Sequence, residues 1–395
     1  MATSLASVGL QAKADRGIYI YIGVFSAVLN TVLLIAPVIA GKLVERYGVT
    51  PMELGSLFSL ELASFSLASL PAYLWMRRMN LRTATYLFTS LVIAGNIASG
   101  LMDSFATLMA ARFVTSLASG SIMVILLALS GKASNPSRAF GVFVVAQLAM
   151  GALILALFPL VFASTGVSAI YWTLAVLAAL CLLAVRCIEG DALRTTPRTE
   201  MAAEGGTVTA EPKAKAPAIR LALGLAAVLL FYVALSGVWT FIAQISAAAG
   251  IGLSASSLVL SLATVAGIAS ALVATILGES PRRRSFLLVG YLGMGLSVGL
   301  LFGTPGLIRF AMAAVIFKFA WTFILPYLLS TLSDLGSGNI MIAVNLVIGT
   351  GFAIGPVLGG TLIESSVGFN GLLAVALVGL LLSMAAVTAI QRKNA

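Results

Sequence analysis

From Ile18 onward the chain is a succession of apolar runs, each about the 20 residues a helix needs to cross a bilayer, separated by short turns carrying Gly, Pro or charge. No other feature restricts the fold so strongly. With 60% hydrophobic and only 9% charged residues, the chain cannot cover a solvated globule, for which about a quarter charged is usual. It reads as an integral membrane protein. The runs fall near residues 18–41, 53–75, 83–102, 105–130, 139–163 and 167–186, then 219–247, 254–277, 285–303, 306–331, 339–363 and 367–390. That spacing predicts twelve transmembrane helices. Strands do not fit, because the runs are twice the length of a barrel strand and do not alternate polar with apolar. The first sixteen residues are polar and lack a compact apolar core with a small-residue cleavage site, so Ile18 opens the first span instead of a signal peptide.

A net charge of +10 would suit a nucleic-acid partner if the basic residues shared one polar domain. They sit in turns instead. Lys13, Arg16, Arg77, Arg78, Arg82, Lys132, Arg138, the cations of the 187–218 stretch, Arg282, Arg283, Arg284, Arg392 and Lys393 fall on one side, against Lys42 and Arg46 in the alternate connections. The positive-inside rule then places both termini in the cytoplasm, as in a multi-pass cell-membrane protein such as one of a bacterial inner membrane. Cys181 and Cys187 read as inert thiols and there is no histidine, so neither a disulfide framework nor a metal site nor a cofactor is expected.

The stretch from Cys187 to Pro217 is charged and rich in Pro, Gly, Ala and Thr, with no apolar face of either period. It reads as a flexible linker. Around it the sequence repeats itself. GVTPMELGSLFSLELAS from Gly48 lines up with GIGLSASSLVLSLATVA from Gly250 at an offset of 202, which also carries Arg82 onto Arg284. At 197, Arg112-Phe113 falls on Arg309-Phe310, and at 198 Gln147-Leu148 falls on Asn345-Leu346. A steady offset over four segments implies a tail (1–17), a six-helix bundle (18–186), a cytoplasmic linker (187–218) and a second six-helix bundle (219–391). Two parallel repeats place a solute site between them at the bilayer midplane.

This layout, the basic turn between the second and third spans, Arg112 followed by Phe113, Ser116, Ser119 and Gly120 in the fourth, and GTGFAIGPVLGG in the eleventh together resemble the major facilitator superfamily. The resemblance covers essentially the whole chain. It implies a monomeric transporter whose halves rock about a central cavity, with the tenth span lining that cavity and the Arg of the fourth span helping a neighbouring acid to release its proton. Two departures stand out. AYLWMRRMNLR has Ala72 and Met76 where the family's turn carries Gly and Asp, and the fifth span lacks the Gly-Pro-Gly-Gly pattern of the family's antiporters.

An ionised side chain at the centre of a membrane helix costs roughly 2.5–3.5 kcal/mol on insertion scales. Four are deep enough to need a reason. Lys318 lies about eleven residues into its span, roughly 16 Å deep, on a mixed face with Ala311, Ala314, Trp321 and Thr322. It reads as an anion-attracting group in a water-filled cavity, or as the ion-pair partner of Glu61. Arg309, nine residues earlier, is on the opposite face and near enough the outer end to reach the interface. Arg112 heads a small polar stripe of Thr115, Ser116 and Ser119; it stays protonated, and can clamp an oxyanion, help a neighbouring acid lose its proton, or serve structurally by bonding to carbonyls. Glu61 sits roughly 12 Å from the outer end with Ala263 as its repeat mate. A carboxyl in an apolar helix can hold and hand on a proton, so Glu61 is the candidate carrier, with an ion pair to Lys318 or Arg112 as its structural alternative. Asn30, Gln147, Asn345 and Gln244 are candidates for solute contact or for interhelical glue, and Trp239 and Trp321 for stacking or packing. Gly351, Gly355 and Gly359, with Pro356 among them, form a ridge suited to close helix approach and a pliable gate.

The resulting expectation is a proton-coupled secondary transporter that moves a small, anionic organic solute by alternating access. The GPxxGG segment leans it towards efflux; uptake of an organic anion or sugar-like solute is the alternative. A nontransporting sensor on the same fold is a third reading. No GxxxxGK[ST] loop is present to use ATP, and nothing assembles a nucleophile, base and metal, so no enzyme is expected.

Overall fold

The computed structural model describes residues 2–76, 78–133, 136–188, 218–277, 282–333 and 339–392. Its helices are α1 (Ala2–Leu29), α2 (Thr31–Tyr47), α3 (Pro51–Leu67), α4 (Ser69–Trp75), α5 (Leu81–Leu101), α6 (Phe105–Lys132), α7 (Pro136–Val161) and α8 (Val167–Cys181), the last tightening into a 3-10 turn over Leu182–Cys187. Then follow α9 (Ala218–Ala248), α10 (Leu253–Leu277), α11 (Arg283–Leu300), α12 (Leu307–Ser333), α13 (Asn339–Glu364) and α14 (Gly368–Arg392). Among the described residues there is no strand. Most of the 187–218 linker lies outside them. Among the described residues eleven stretches are long and apolar enough to cross a membrane; a further helix, α11, has 18 residues, opens on Arg283 and Arg284, and packs between α12 and α14. Among the described residues the result is an all-helical membrane fold.

Polar residues at the turns fix where helices begin. Thr50 and Glu53 form a reciprocal capping box ahead of Pro51, Asn80 accepts from the Arg82 amide at 2.9 Å, and Ser104 from the Thr107 amide at 3.2 Å. Each satisfies helix-end donors that lipid cannot satisfy.

Two crossings are interrupted along their length. The first, expected near 18–41, is carried by a helix that starts at Ala2 and breaks at Asn30. The apolar stretch from Arg16 to Tyr47 has 32 residues, or about 48 Å of helix, against a hydrocarbon core of about 30 Å. The break has local causes. Thr31 Oγ1 takes the Ala27 carbonyl at 2.6 Å, the Leu34 amide reaches the Asn30 carbonyl only at 3.4 Å, and Pro37 offers no N–H to the carbonyl of Leu33. In the second, the helix is interrupted at Ala68, next to which Ser69 Oγ donates to the Ser66 carbonyl at 2.5 Å, and α4 packs on α6.

The internal repeat is visible in the backbone. Gly48 (φ +63°) and Gly250 (φ +78°), mates at the 202 offset, both take the left-handed conformation that glycine adopts without strain. Between the halves, α3 packs on α13 and α10 on α7, contacts that the repeat exchanges, while α2 meets α9. Small residues make this possible. A Cβ on Gly55 would collide with the Pro356 carbonyl, and one on Gly360 with that of Pro51. The Val357 amide donates to Ser59 Oγ at 2.9 Å, the Met52 amide to Glu364 at 3.2 Å, and Ser261 Oγ to the Ala152 carbonyl at 2.7 Å. The Pro51, Met52, Gly360 and Glu364 contacts join the halves at the ends remote from the basic turns.

Candidate functional site

Helices α3, α5, α6 and α8 converge on one guanidinium. Arg112, only 2% exposed, donates through Nε to the Glu61 carboxylate and through Nη1 to Asn96 Oδ1 at 2.9 Å. Its Cζ lies 5.0 Å from the centre of the Tyr171 ring. Asn96 is itself oriented, because its Nδ2 donates to the Val92 carbonyl one turn earlier at 3.0 Å. The approach of α5 to α6 depends on Gly95, where a Cβ would strike the Thr115 hydroxyl. Removing two ions from water costs several kcal/mol each, which only close pairing with further hydrogen bonds offsets. Here the bonds to Glu61 and Asn96 supply that pairing.

Beside the pair lies a cavity of about 60 Å³ whose polar lining is Asn30, Glu61, Arg112, Ser116 and Ser119, with Phe58 and Phe65 among its apolar walls. That is room for a few waters. Asn30, at the break between α1 and α2, donates to Gln147 Oε1 of α7 at 2.9 Å. Four candidates, Glu61, Arg112, Asn30 and Gln147, are thus brought together, with Ser116 and Ser119 of α6 facing the same space while Thr115 turns towards Gly95 of α5.

Lys318 is elsewhere. Its Nζ lies 4.0 Å from the Trp239 ring centre and 3.7 Å from that of Trp321; the residue is 1% exposed, and among the described residues Nζ has no hydrogen-bond partner. Two expectations are therefore corrected. Lys318 does not line the water-sized cavity, because Trp239 from α9 fills the space beside it, and it does not pair with Glu61, whose carboxylate Arg112 has taken. Trp239 and Trp321 stand at 70° with centres 5.8 Å apart, and Gly267 of α10 leaves room for the lysine stem, a Cβ there lying 3.1 Å from Lys318 Cγ. The outer edge of Trp239 reaches across the halves: Nε1 donates to the Leu33 carbonyl at 3.3 Å, the acceptor that Pro37 leaves free, and Leu33 lines the cavity.

Arg309 is exposed and bonds the Phe302 carbonyl at 2.8 Å, away from the site. Gly351 and Gly355 press against the α9 backbone around Leu229 and Val233, and Gly359 lies against Phe241. Pro356 meets Gly55 of α3. These four residues pack helices. The amide of Gln244 has no partner among the described residues, and the side chain of Asn345 lies outside those described. Asn96 and Tyr171 were missed. An amide inside the apolar run GNIASG was the available signal for the first, whereas Tyr171 reads from sequence as an ordinary interfacial aromatic.

The Major Facilitator Superfamily profile matches residues 20–341. The chain belongs to that superfamily. Among curated proteins no sequence matches. Solved structures similar to this transporter include a mutant of the nucleoside transporter NupG (11% identity, TM-score 0.71, covering 95% of this chain and 99% of that one). The xylose transporter XylE from E. coli in a partially occluded inward-open conformation is similar at 11% identity and TM-score 0.67, covering 94% and 97%, and the peptide transporter POT in complex with sulfate at 15% and 0.72, covering 95% and 94%. At such identities the likeness is one of fold. It extends over nearly the whole of this transporter.

Proposed function

We propose that the chain is a proton-coupled secondary transporter of a small organic solute, working by alternating access of the halves 18–186 and 219–391 about the cavity, with both termini and the linker cytoplasmic and the chain acting as a monomer in the cell membrane. The observation that carries this is the Glu61–Arg112 pair at the cavity wall. While Glu61 is ionised it occupies the Nε donor of Arg112, and Asn96 holds Nη1. Protonation of Glu61 releases that donor towards the cavity, where an acceptor group of the solute takes the place of the carboxylate. Solute and proton are then loaded together. This favours symport, and with an inward proton gradient it favours uptake over the efflux to which the GPxxGG segment leans; the glycines of that segment are accounted for by packing on α9 and α3. Closure of the halves at the end remote from the basic turns leaves the cavity to open on the cytoplasmic side when the bundles rock.

The test uses purified protein in proteoliposomes loaded with a pH-sensitive dye. A solute screen in the presence of an imposed pH gradient should find solutes whose accumulation is accompanied by proton movement in the same direction. Glu61→Gln, which cannot ionise, should lose uphill accumulation while still exchanging solute down its gradient. Uphill accumulation at the normal level in that variant refutes the coupling role.

A further inference from the structure

We propose that Lys318 is the docking point for a carboxylate group on the transported solute, and that the Trp239 indole is the partition which must swing aside to admit it from the Glu61–Arg112 cavity. This rests on the transport reading above and names the solute class within it. The charge inventory of the membrane interior is uneven. Arg112 is neutralised by Glu61, whereas Lys318 has neither an ion pair nor a hydrogen bond among the described residues and is 1% exposed. Two indole faces at 4.0 and 3.7 Å attract an ammonium. They are poor acceptors for its three N–H donors, which want oxygen. A carboxylate supplies both the charge and the acceptors. One lysine balances one negative charge, so a carboxylate fits better than a phosphate, whose charge approaches two.

The route is also on hand. Trp239 has one face on Lys318 and its edge on Leu33, which lines the cavity. Its one hydrogen bond, of 3.3 Å, goes to a carbonyl that exists as a free acceptor because Pro37 has no N–H; the rest of its hold is packing against Lys318, Phe317 and Trp321. With the indole turned away, the aromatic slot and the cavity become one chamber. Such merging is required in any case, because a cavity of about 60 Å³ has room only for a few waters.

The experiment screens full-length protein in detergent by thermal shift and tryptophan emission, without any gradient, against a library of small monocarboxylic acids paired with their primary amides. At least one acid should raise the melting temperature and shift the emission where its amide does neither. Lys318→Met should abolish the acid preference and Lys318→Arg should keep it. Trp239→Phe, which retains an aromatic face but cannot bond Leu33, should bind the same acid several-fold tighter. If no acid exceeds its amide, or if the preference survives Lys318→Met, the proposal is overturned; should Lys318→Met fail to fold, the acid-specific emission change of the unsubstituted protein and its persistence in Lys318→Arg decide. Gradient-driven accumulation is a separate readout, so acid binding without proton coupling condemns the coupling reading alone, and coupled transport of solutes without an acid preference condemns only the docking site.

Discussion

Replacing Arg112 by Met removes a guanidinium that is 2% exposed from a carboxylate that is 7% exposed. The structure permits the size of the effect to be worked out. Glu61 is left as a buried charge without its partner, a situation that costs about 3–5 kcal/mol, and Asn96 Oδ1 loses its donor, for about 1–3 kcal/mol if it stays dry. Glu61→Gln alone strands the Arg112 charge, though the bond to Asn96 and the Tyr171 face remain, so a smaller loss of about 2 kcal/mol is expected. The double variant buries no charge, and replacement of a buried pair by groups of similar volume is often close to neutral; only the Asn96 loss remains. The Asn96 loss cancels, so the cycle should show a coupling of about 5–7 kcal/mol, above the range of about 0.5–3 kcal/mol usual for contacting pairs because each single variant strands a buried charge. Reversible unfolding in mixed detergent micelles, followed by tryptophan emission, measures it. Additivity of the two single losses within about 0.5 kcal/mol would refute the view that the pair is one electrostatic unit.

Pro37→Ala restores an N–H that competes for the Leu33 carbonyl, so Trp239 should lose its bond and the protein's emission should change, with no change in a Trp239→Phe background. Gly95→Val should push α5 off Thr115 and stretch the Asn96–Arg112 bond, lowering transport at least several-fold; combining Gly95→Ala with Thr115→Ala should recover much of it, and equal loss in both would count against the argument. Gly360→Leu should prise α13 from Pro51 of α3 and raise the rate at which a Ser119→Cys reporter reacts with an impermeant maleimide added from the end remote from the basic turns. An unchanged rate would show that this contact does not hold the closed end.

Much was legible from the chain alone because lipid leaves few choices. A polar backbone in hydrocarbon must form helices, so run lengths gave the crossings, and a steady offset gave the duplication that Gly48 and Gly250 repeat in their dihedrals. Glu61 and Arg112 were legible as well, because an ion at that depth requires a reason. Their mutual pairing was one of two alternatives, and the chain could not choose: helical periodicity says which face a residue occupies, not which neighbouring helix that face meets.

That choice belongs to the packing. Glycines at 55, 95, 267, 355 and 360 determine which helices come close enough to share a side chain, and their partners lie as far as 309 positions away, as Pro51 and Gly360 are (360 − 51). Hence Asn96 rather than a serine completes the arginine's bonds, and Trp239 rather than an acid covers Lys318. The sequence by itself determined the membrane fold, the twofold repeat and the list of costly polar residues, since each follows from local composition and the solvent. Only the tertiary structure decided how those residues are partnered, since a buried charge is satisfied by whatever the packed helices place within about 3–4 Å of it.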